Sequence, residues 1–206
     1  MKVVAINGSP RAGGNTKIML KKVLEPLEAA GWDTEYLRIG GKHVWGCHAC
    51  MMCVERKNGR CVIDDDVVNE YLQKMYQADA IILGSPTYFA DVTSEMKALI
   101  DRAGFVALAN DGAFNGKIGA AVVPGRLGGC THVFDSINQM FQISSMIVPG
   151  SLHCNLGRGC QKGEELGDEE ALRNMQRLGQ TIAWLGEAMA SVPDTSPFRK
   201  IAIKLN

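Results

Sequence analysis

Neither sign of charge is in surplus: 22 Lys and Arg stand against 22 Asp and Glu, so the 206-residue chain has a formal net charge of zero. That balance excludes a general electrostatic pull toward nucleic acid or an anionic membrane. The basic residues are scattered, without the stripe that a phosphate-backbone binder needs. No apolar run approaches the roughly 20 residues of a membrane-spanning helix. No charged-then-apolar leader precedes the strand-like run Lys2 to Asn7, so the expectation is a cytoplasmic protein. Internal repeats and low-complexity segments are lacking as well. Those absences leave a single domain, long enough to bury a full core.

What is present is alternation. Val3 to Ile6, Thr34 to Ile39, Ala80 to Leu83, Ile118 to Val123 and Met146 to Val148 read as short apolar strands. Between them, Thr16 to Ala30, Asp64 to Gln77, Thr93 to Leu108 and Val133 to Ser144 read as amphipathic helices, and Asp168 to Met189 as a final one. The triple aspartate Asp64-Asp65-Asp66 suits a helix N-terminus. Strands apolar on both faces, each followed by a helix, predict an α/β fold: a doubly wound five-stranded parallel sheet, order 2-1-3-4-5, with helices on both faces. Ligands then bind beyond the carboxyl ends of strands 1 and 3. The domain is expected over residues 1–190, with a cysteine-rich loop at 43–63 and a C-terminal tail at 191–206. Three stretches lack periodicity: Gly40 to Ile63, Ser151 to Gly167 and the tail from Ser191. Long loops of this kind usually carry function or join interfaces.

Strand 1 runs into Asn7-Gly8-Ser9-Pro10-Arg11-Ala12-Gly13-Gly14-Asn15-Thr16 and then a helix. Glycines let backbone N–H groups turn inward, hydroxyls add donors, and the helix N-terminus adds partial positive charge, which together make a phosphate cradle. The Gly-Lys-Ser/Thr ending of a Walker A loop is missing, and so is the Gly-x-Gly-x-x-Gly dinucleotide fingerprint. An ordinary βα turn is the plainer alternative. Strand 3 ends in Gly84-Ser85-Pro86-Thr87-Tyr88-Phe89-Ala90-Asp91, where two adjacent aromatics could flank a flat ring or simply fill a core or an interface. Strand 4 ends in Val123-Pro124-Gly125-Arg126-Leu127-Gly128-Gly129, giving further exposed amides at the same edge. Each loop alone is a weak signal; three at one sheet edge are a strong one.

Gly8-Ser9-Pro10-Arg11 with Gly14-Asn15-Thr16, followed by Ser85-Pro86-Thr87-Tyr88-Phe89, resembles the NADPH-dependent FMN reductase and flavodoxin-like superfamily. Ser94-Glu95-Met96-Lys97-Ala98-Leu99-Ile100-Asp101-Arg102 is similar to that family's helix after the flavin loop. The resemblance implies a flavodoxin-like fold and non-covalent FMN. It puts Ser9, Arg11, Gly14, Asn15 and Thr16 at the phosphate and Pro86, Thr87, Tyr88 and Phe89 at the isoalloxazine. Gly125, Arg126 and Gly129 complete the pocket. It also implies a homodimer or homotetramer.

Four of the seven cysteines crowd into fifteen positions as Cys47-x2-Cys50-x2-Cys53-x7-Cys61. In a reducing compartment such a cluster signals metal or redox chemistry rather than a disulfide framework. Three thiolates at two-residue gaps resemble the first ligands of a bacterial ferredoxin site. Structural zinc more often uses two separated Cys-x2-Cys pairs. Within the superfamily the segment looks like the iron–sulfur flavoprotein branch, whose compact motif binds a [4Fe–4S] cluster, although seven intervening residues are at the long end of that spacing. Cluster-free thiols and zinc stay open beside it. His48 is read as solvent-facing, and Cys130, Cys154 and Cys160 as ordinary thiols.

The expected function is oxidoreduction: electrons pass from ferredoxin or NAD(P)H through FMN to a small acceptor. The cofactor supplies the chemistry, so no side chain is assigned as a general acid or base. The alternatives are a cluster-free NAD(P)H-dependent FMN or quinone reductase and a flavodoxin-like electron carrier. The neutral charge balance disfavours the carrier. A regulatory module would need a docking segment, for which only Phe198 to Ile203 offers a candidate.

Overall fold

The computed structural model describes residues 1–159 and 161–193. Five strands form one parallel sheet in the order β2-β1-β3-β4-β5. They are β1 (Lys2–Asn7), β2 (Asp33–Arg38), β3 (Ala80–Gly84), β4 (Ile118–Gly125) and β5 (Leu156–Arg158). Val3 pairs with Thr34 on one side and Ala80 on the other, and Ala80 pairs with Ile118. The sheet is therefore of the flavodoxin-like type, with the strand order that the alternation predicts.

Because successive strand residues face opposite sides, the apolar strands feed two separate cores. Val3, Ala5, Ile82, Ala120 and Val122 pack under α1 (Asn15–Ala29) and α6 (Glu169–Ser191). Val4, Ile6, Ile81, Leu83, Ala121 and Val123 pack against the other face. That face is covered by α3 (Val68–Gln77), α4 (Ser94–Ala109) and α5 (Cys130–Ile143), while α2 (Met52–Arg56) is a short turn within the cysteine loop. On the first face α6 lies so close to α1 that a side chain at Gly179 would collide with the Val23 carbonyl and the Pro26 ring. Asp168 caps α6 by accepting the Ala171 N–H at 3.0 Å.

The structure corrects two sequence expectations. The fifth strand is not Met146 to Val148. There Ile147 makes only an isolated bridge to Ile118, and the chain then meets Pro149, which has no N–H to give a ladder. It leaves the edge and returns at Leu156–Arg158, where it pairs with Val123–Gly125. Thus part of the supposed irregular stretch 151–167 is strand, and Glu164–Gly167 forms a 3-10 turn. The helix expected from Asp64 begins at Val68, where Asp66 accepts the Val68 N–H at 3.0 Å with one oxygen and holds Arg102 with the other. The expected tail is described only through residue 193, so Phe198 to Ile203 lies outside the described residues, as does Cys160.

Candidate functional site

At the carboxyl edge of β1, β3 and β4 the three loops meet in one cleft. Its wall is formed by Ser9, Arg11, Gly14, Asn15, Thr16, Pro86, Thr87, Tyr88, Gly125 and Arg126, together with Pro124 and Gly159. The loops are tied to one another by backbone. Gly8 N–H donates to Gly84 O at 2.7 Å, Thr87 N–H to Pro124 O at 3.1 Å, and Gly159 N–H to Gly125 O at 3.1 Å.

Local chemistry explains the shape of the first loop. The buried Asn7 carboxamide accepts the Ser9 N–H at 2.7 Å and anchors its own NH2 on Tyr36 Oη at 2.8 Å. Ser9 Oγ accepts the Arg11 N–H at 3.2 Å. Gly14 caps α1 without a side-chain partner, and the first turn carries no acid. The leading N–H groups of a helix have no carbonyl of their own to bond, so this end of α1 presents free donors and positive dipole to the cleft. That is the chemistry an anionic phosphate needs, and the residues fit one.

Asn15 does more than line the wall. Its Nδ2 donates to Gln161 O at 3.0 Å and its Oδ1 accepts the Gly163 N–H at 2.9 Å. The side chain thus pins the 151–167 segment over the helix end. In the second loop, Tyr88 and Asp91 exchange backbone hydrogen bonds at 2.9 and 3.1 Å. Phe89 and Ala90 between them take φ of 48° and 70°, as a tight two-residue turn demands. An aromatic in left-handed backbone is rare, and the Phe89 ring stands fully exposed. Phe89 and Gly129 lie off the cleft wall. Gly129, at φ 87°, instead backs onto Ala90, where a side chain would come within 2.7 Å of the Ala90 Cα.

Asn69 escaped the sequence reading; Thr93 and Asp66 entered it only as helix starts, and Arg102 only as the end of a resembling helix. Thr93 Oγ1 donates to Gly8 O at 2.9 Å while its backbone N–H donates to Ser85 Oγ at 3.1 Å. It caps α4 and ties that helix to the loop after β1. The only signal was a threonine preceding Ser94-Glu95, a common helix-start pattern.

The four cysteines lie further along α4, at the turn that carries Arg102 and Val106. Cys47, Cys50, Cys53 and Cys61 line one apolar cavity with Phe105 and Val106. Cys47 and Cys50 are exposed, Cys53 and Cys61 half-buried. Left-handed backbone at Ala49 and Met51 makes the turns between them, and Ala49 N–H donates to Cys47 Sγ at 3.4 Å. His48 is exposed, edge-on to Trp45.

Arg102 is almost wholly buried. It donates from Nε to Cys61 Sγ at 3.3 Å, from Nη2 to Ile63 O at 2.7 Å, and from Nη1 to Trp45 O at 3.1 Å and to the Asp66 carboxylate. Burial opposes charge on Asp66, but the Arg102 hydrogen bond and the N–H groups of Trp45 and Val68 outweigh it and hold its pKa below the ordinary value. Asn69 seals the same end, accepting the Cys61 N–H at 2.8 Å. Tyr76 adds a buried hydroxyl without a partner. Burial, with the nearby Cys53 thiol, pushes its pKa up to about 12.

Among the described residues no three His, Cys, Asp or Glu side chains close on a single ion. Four thiols around one cavity, with N–H donors already on two sulfurs, are a donor set suited to a cluster whose irons are each held by a separate thiolate. Of the remaining thiols, Cys130 accepts a hydrogen bond from Thr87 Oγ1 at 3.4 Å and Cys154 is exposed.

A family model for NADPH-dependent FMN reductase matches residues 1–159. An iron-sulfur flavoprotein of Methanocaldococcus jannaschii is 37% identical over 190 residues, spanning 89% of this chain and 96% of that protein. Another, of Methanosarcina thermophila, is 38% identical over 152 residues, 73% of this chain and 78% of its own length. A flavodoxin from the domain Archaea superposes with a TM-score of 0.59 at 20% identity, over 91% of this chain and 99% of its own, a likeness of fold. No helix among the described residues is long and apolar enough to cross a membrane.

Proposed function

The chain belongs to the NADPH-dependent FMN reductase family and is a flavin-dependent oxidoreductase, and from that premise we propose that it passes electrons between ferredoxin or NAD(P)H and a small acceptor. FMN would lie in the three-loop cleft, with a [4Fe–4S] cluster on Cys47, Cys50, Cys53 and Cys61. The observation that carries this reading is the convergence of an uncapped helix end and three backbone-tied loops on one cleft, with a four-cysteine cavity on the helix beside it. α4 joins the two: Thr93 at its start holds the phosphate loop, and Arg102 stands about 13.5 Å further along its axis.

In this reading the N–H groups at the start of α1, with Ser9, Arg11 and Thr16, hold the phosphate. Asn15 keeps the 161–163 backbone over it. Pro86, Thr87 and Tyr88 on one side and Gly125 and Arg126 on the other orient the ring. Phe89 and Gly129 act indirectly, Gly129 by supporting the turn and Phe89 by standing at the mouth. When bound, FMN supplies one- and two-electron chemistry, and the cluster supplies one-electron transfer. The protein fixes geometry and surroundings. No general acid or base is assigned.

The names of both relatives favour the cluster over a cluster-free reductase. Exposed Phe105, Leu108 and Ile143 on α4 and α5 support self-association as a homodimer or homotetramer. Anaerobically purified protein should release FMN on denaturation and carry about four irons and four sulfides per chain. Stopped-flow mixing with NADPH, NADH and reduced ferredoxin in turn then identifies the donor. Release of FAD, or no flavin binding at all, overturns the cleft assignment. Absence of iron after anaerobic reconstitution overturns the cluster and leaves the flavin reductase.

A further inference from the structure

We infer that Arg102 is the positioning residue of the cysteine site, fixing Cys61 opposite the Cys47–Cys50–Cys53 turn and supplying a hydrogen bond to its sulfur. The inference rests on the cluster reading above and adds a residue to it. An arginine this deeply buried is costly unless its donors are satisfied and its charge is paired. Here four hydrogen bonds do so, and all go to the cysteine loop or its exit: Trp45 O before the first cysteine, Cys61 Sγ, Ile63 O after the last, and Asp66. None goes to the flavin cleft. The seven-residue gap before Cys61 makes that ligand the one with least help from a tight turn, and it is the one Arg102 grips.

The planar guanidinium matters as much as its charge. Its fork reaches both ends of the loop at once from one helix position, which the single ammonium of lysine cannot do. The Nε–H on Cys61 would also stabilise the more negative, reduced form of a bound cluster. Hydrogen bonds to sulfur are one of the terms that set such potentials.

The test compares wild type with Arg102→Lys after anaerobic reconstitution, reading FMN, iron and sulfide per chain and the cluster midpoint potential. FMN loading is expected to be unchanged. Cluster affinity, measured as retention against a chelator, is expected to fall about 10- to 100-fold, the usual cost of removing an outer partner of a metal ligand. Any cluster that remains should titrate at lower potential than in wild type. A merely structural arginine would not move the potential. In a second arm, wild type labelled with 15N-arginine is reduced and examined by pulsed EPR, where an arginine nitrogen coupling to the cluster is expected. This arm needs no variant and decides the matter if Arg102→Lys does not fold. Iron in wild type with no arginine coupling, or with unchanged retention and potential in Arg102→Lys, overturns this inference alone. No iron in wild type overturns it together with the cluster reading.

Discussion

The three-loop cleft proposed for the flavin and the cysteine cavity adjoin the same helix, yet they are built by different means. The cleft is made of backbone: strand ends, an uncapped helix terminus and carbonyl-to-amide ties between loops. The cysteine loop never joins the sheet, and a few buried side chains on α3, on α4 and just ahead of α3 hold it in place. A site made of backbone follows from topology and tolerates most side-chain changes. A site held by side chains fails when one of them is lost. The comparison teaches that the two centres should be separable by mutation, even though α4 connects them.

The largest effect should come from Asp66→Ala. It leaves the buried Arg102 charge without its partner, and breaking a buried pair in this way costs about 3–5 kcal/mol. Urea unfolding of the apoprotein should show that loss. Equal stability of variant and wild type would mean that the loop is not held as described. Next comes Thr93→Ala, which removes the α4 cap and the hydrogen bond to the phosphate loop, worth about 1–2 kcal/mol. Fluorescence titration should find FMN bound more weakly, whereas iron loading should be untouched. Iron loss in this variant would break the proposed separation.

Cys50→Ser sharpens the same contrast with little effect on folding. Iron should be lost while FMN stays bound at its wild-type stoichiometry, and Cys130→Ser should change neither iron nor FMN. Loss of FMN in Cys50→Ser would show that the two centres depend on each other. The smallest effect concerns Glu35 on the edge strand β2. Its hydrogen bond from Lys74, with the charges of Lys74 and Lys2, lowers its pKa below 4.5 despite partial burial. A depressed carboxylate contributes stability that is present above its unfolded pKa and lost as pH falls through the folded value. The melting-temperature gap between wild type and Glu35→Gln should therefore be open at pH 7 and close in acid. A gap that does not change with pH would assign the effect to packing.

The sequence by itself determined what local pattern can carry. Apolar four-residue runs alternating with helical periodicity determined a parallel sheet and its order, because strands buried on both faces must be apolar throughout. The Gly/Ser/Asn/Thr loop after β1 pointed to an anion site, because its donors lie adjacent in the chain. The cysteine spacing showed a thiol cluster for the same reason. Tertiary structure alone decided the rest. Periodicity pointed to Met146–Val148 as the fifth strand, but Pro149 ends pairing there and the edge is completed by Leu156–Arg158. Asp66 read as a helix cap, and one oxygen does accept the Val68 N–H, but a partner 36 residues away takes the other. Asn15 reads as a residue of the phosphate loop, but that its amide also holds a segment 146 to 148 residues distant appears only in the fold. In each of these cases the deciding contact joins positions far apart in the chain. A hydrogen bond or ion pair of that kind leaves no periodicity in the sequence, because only the folded sheet and helices bring its two ends within reach.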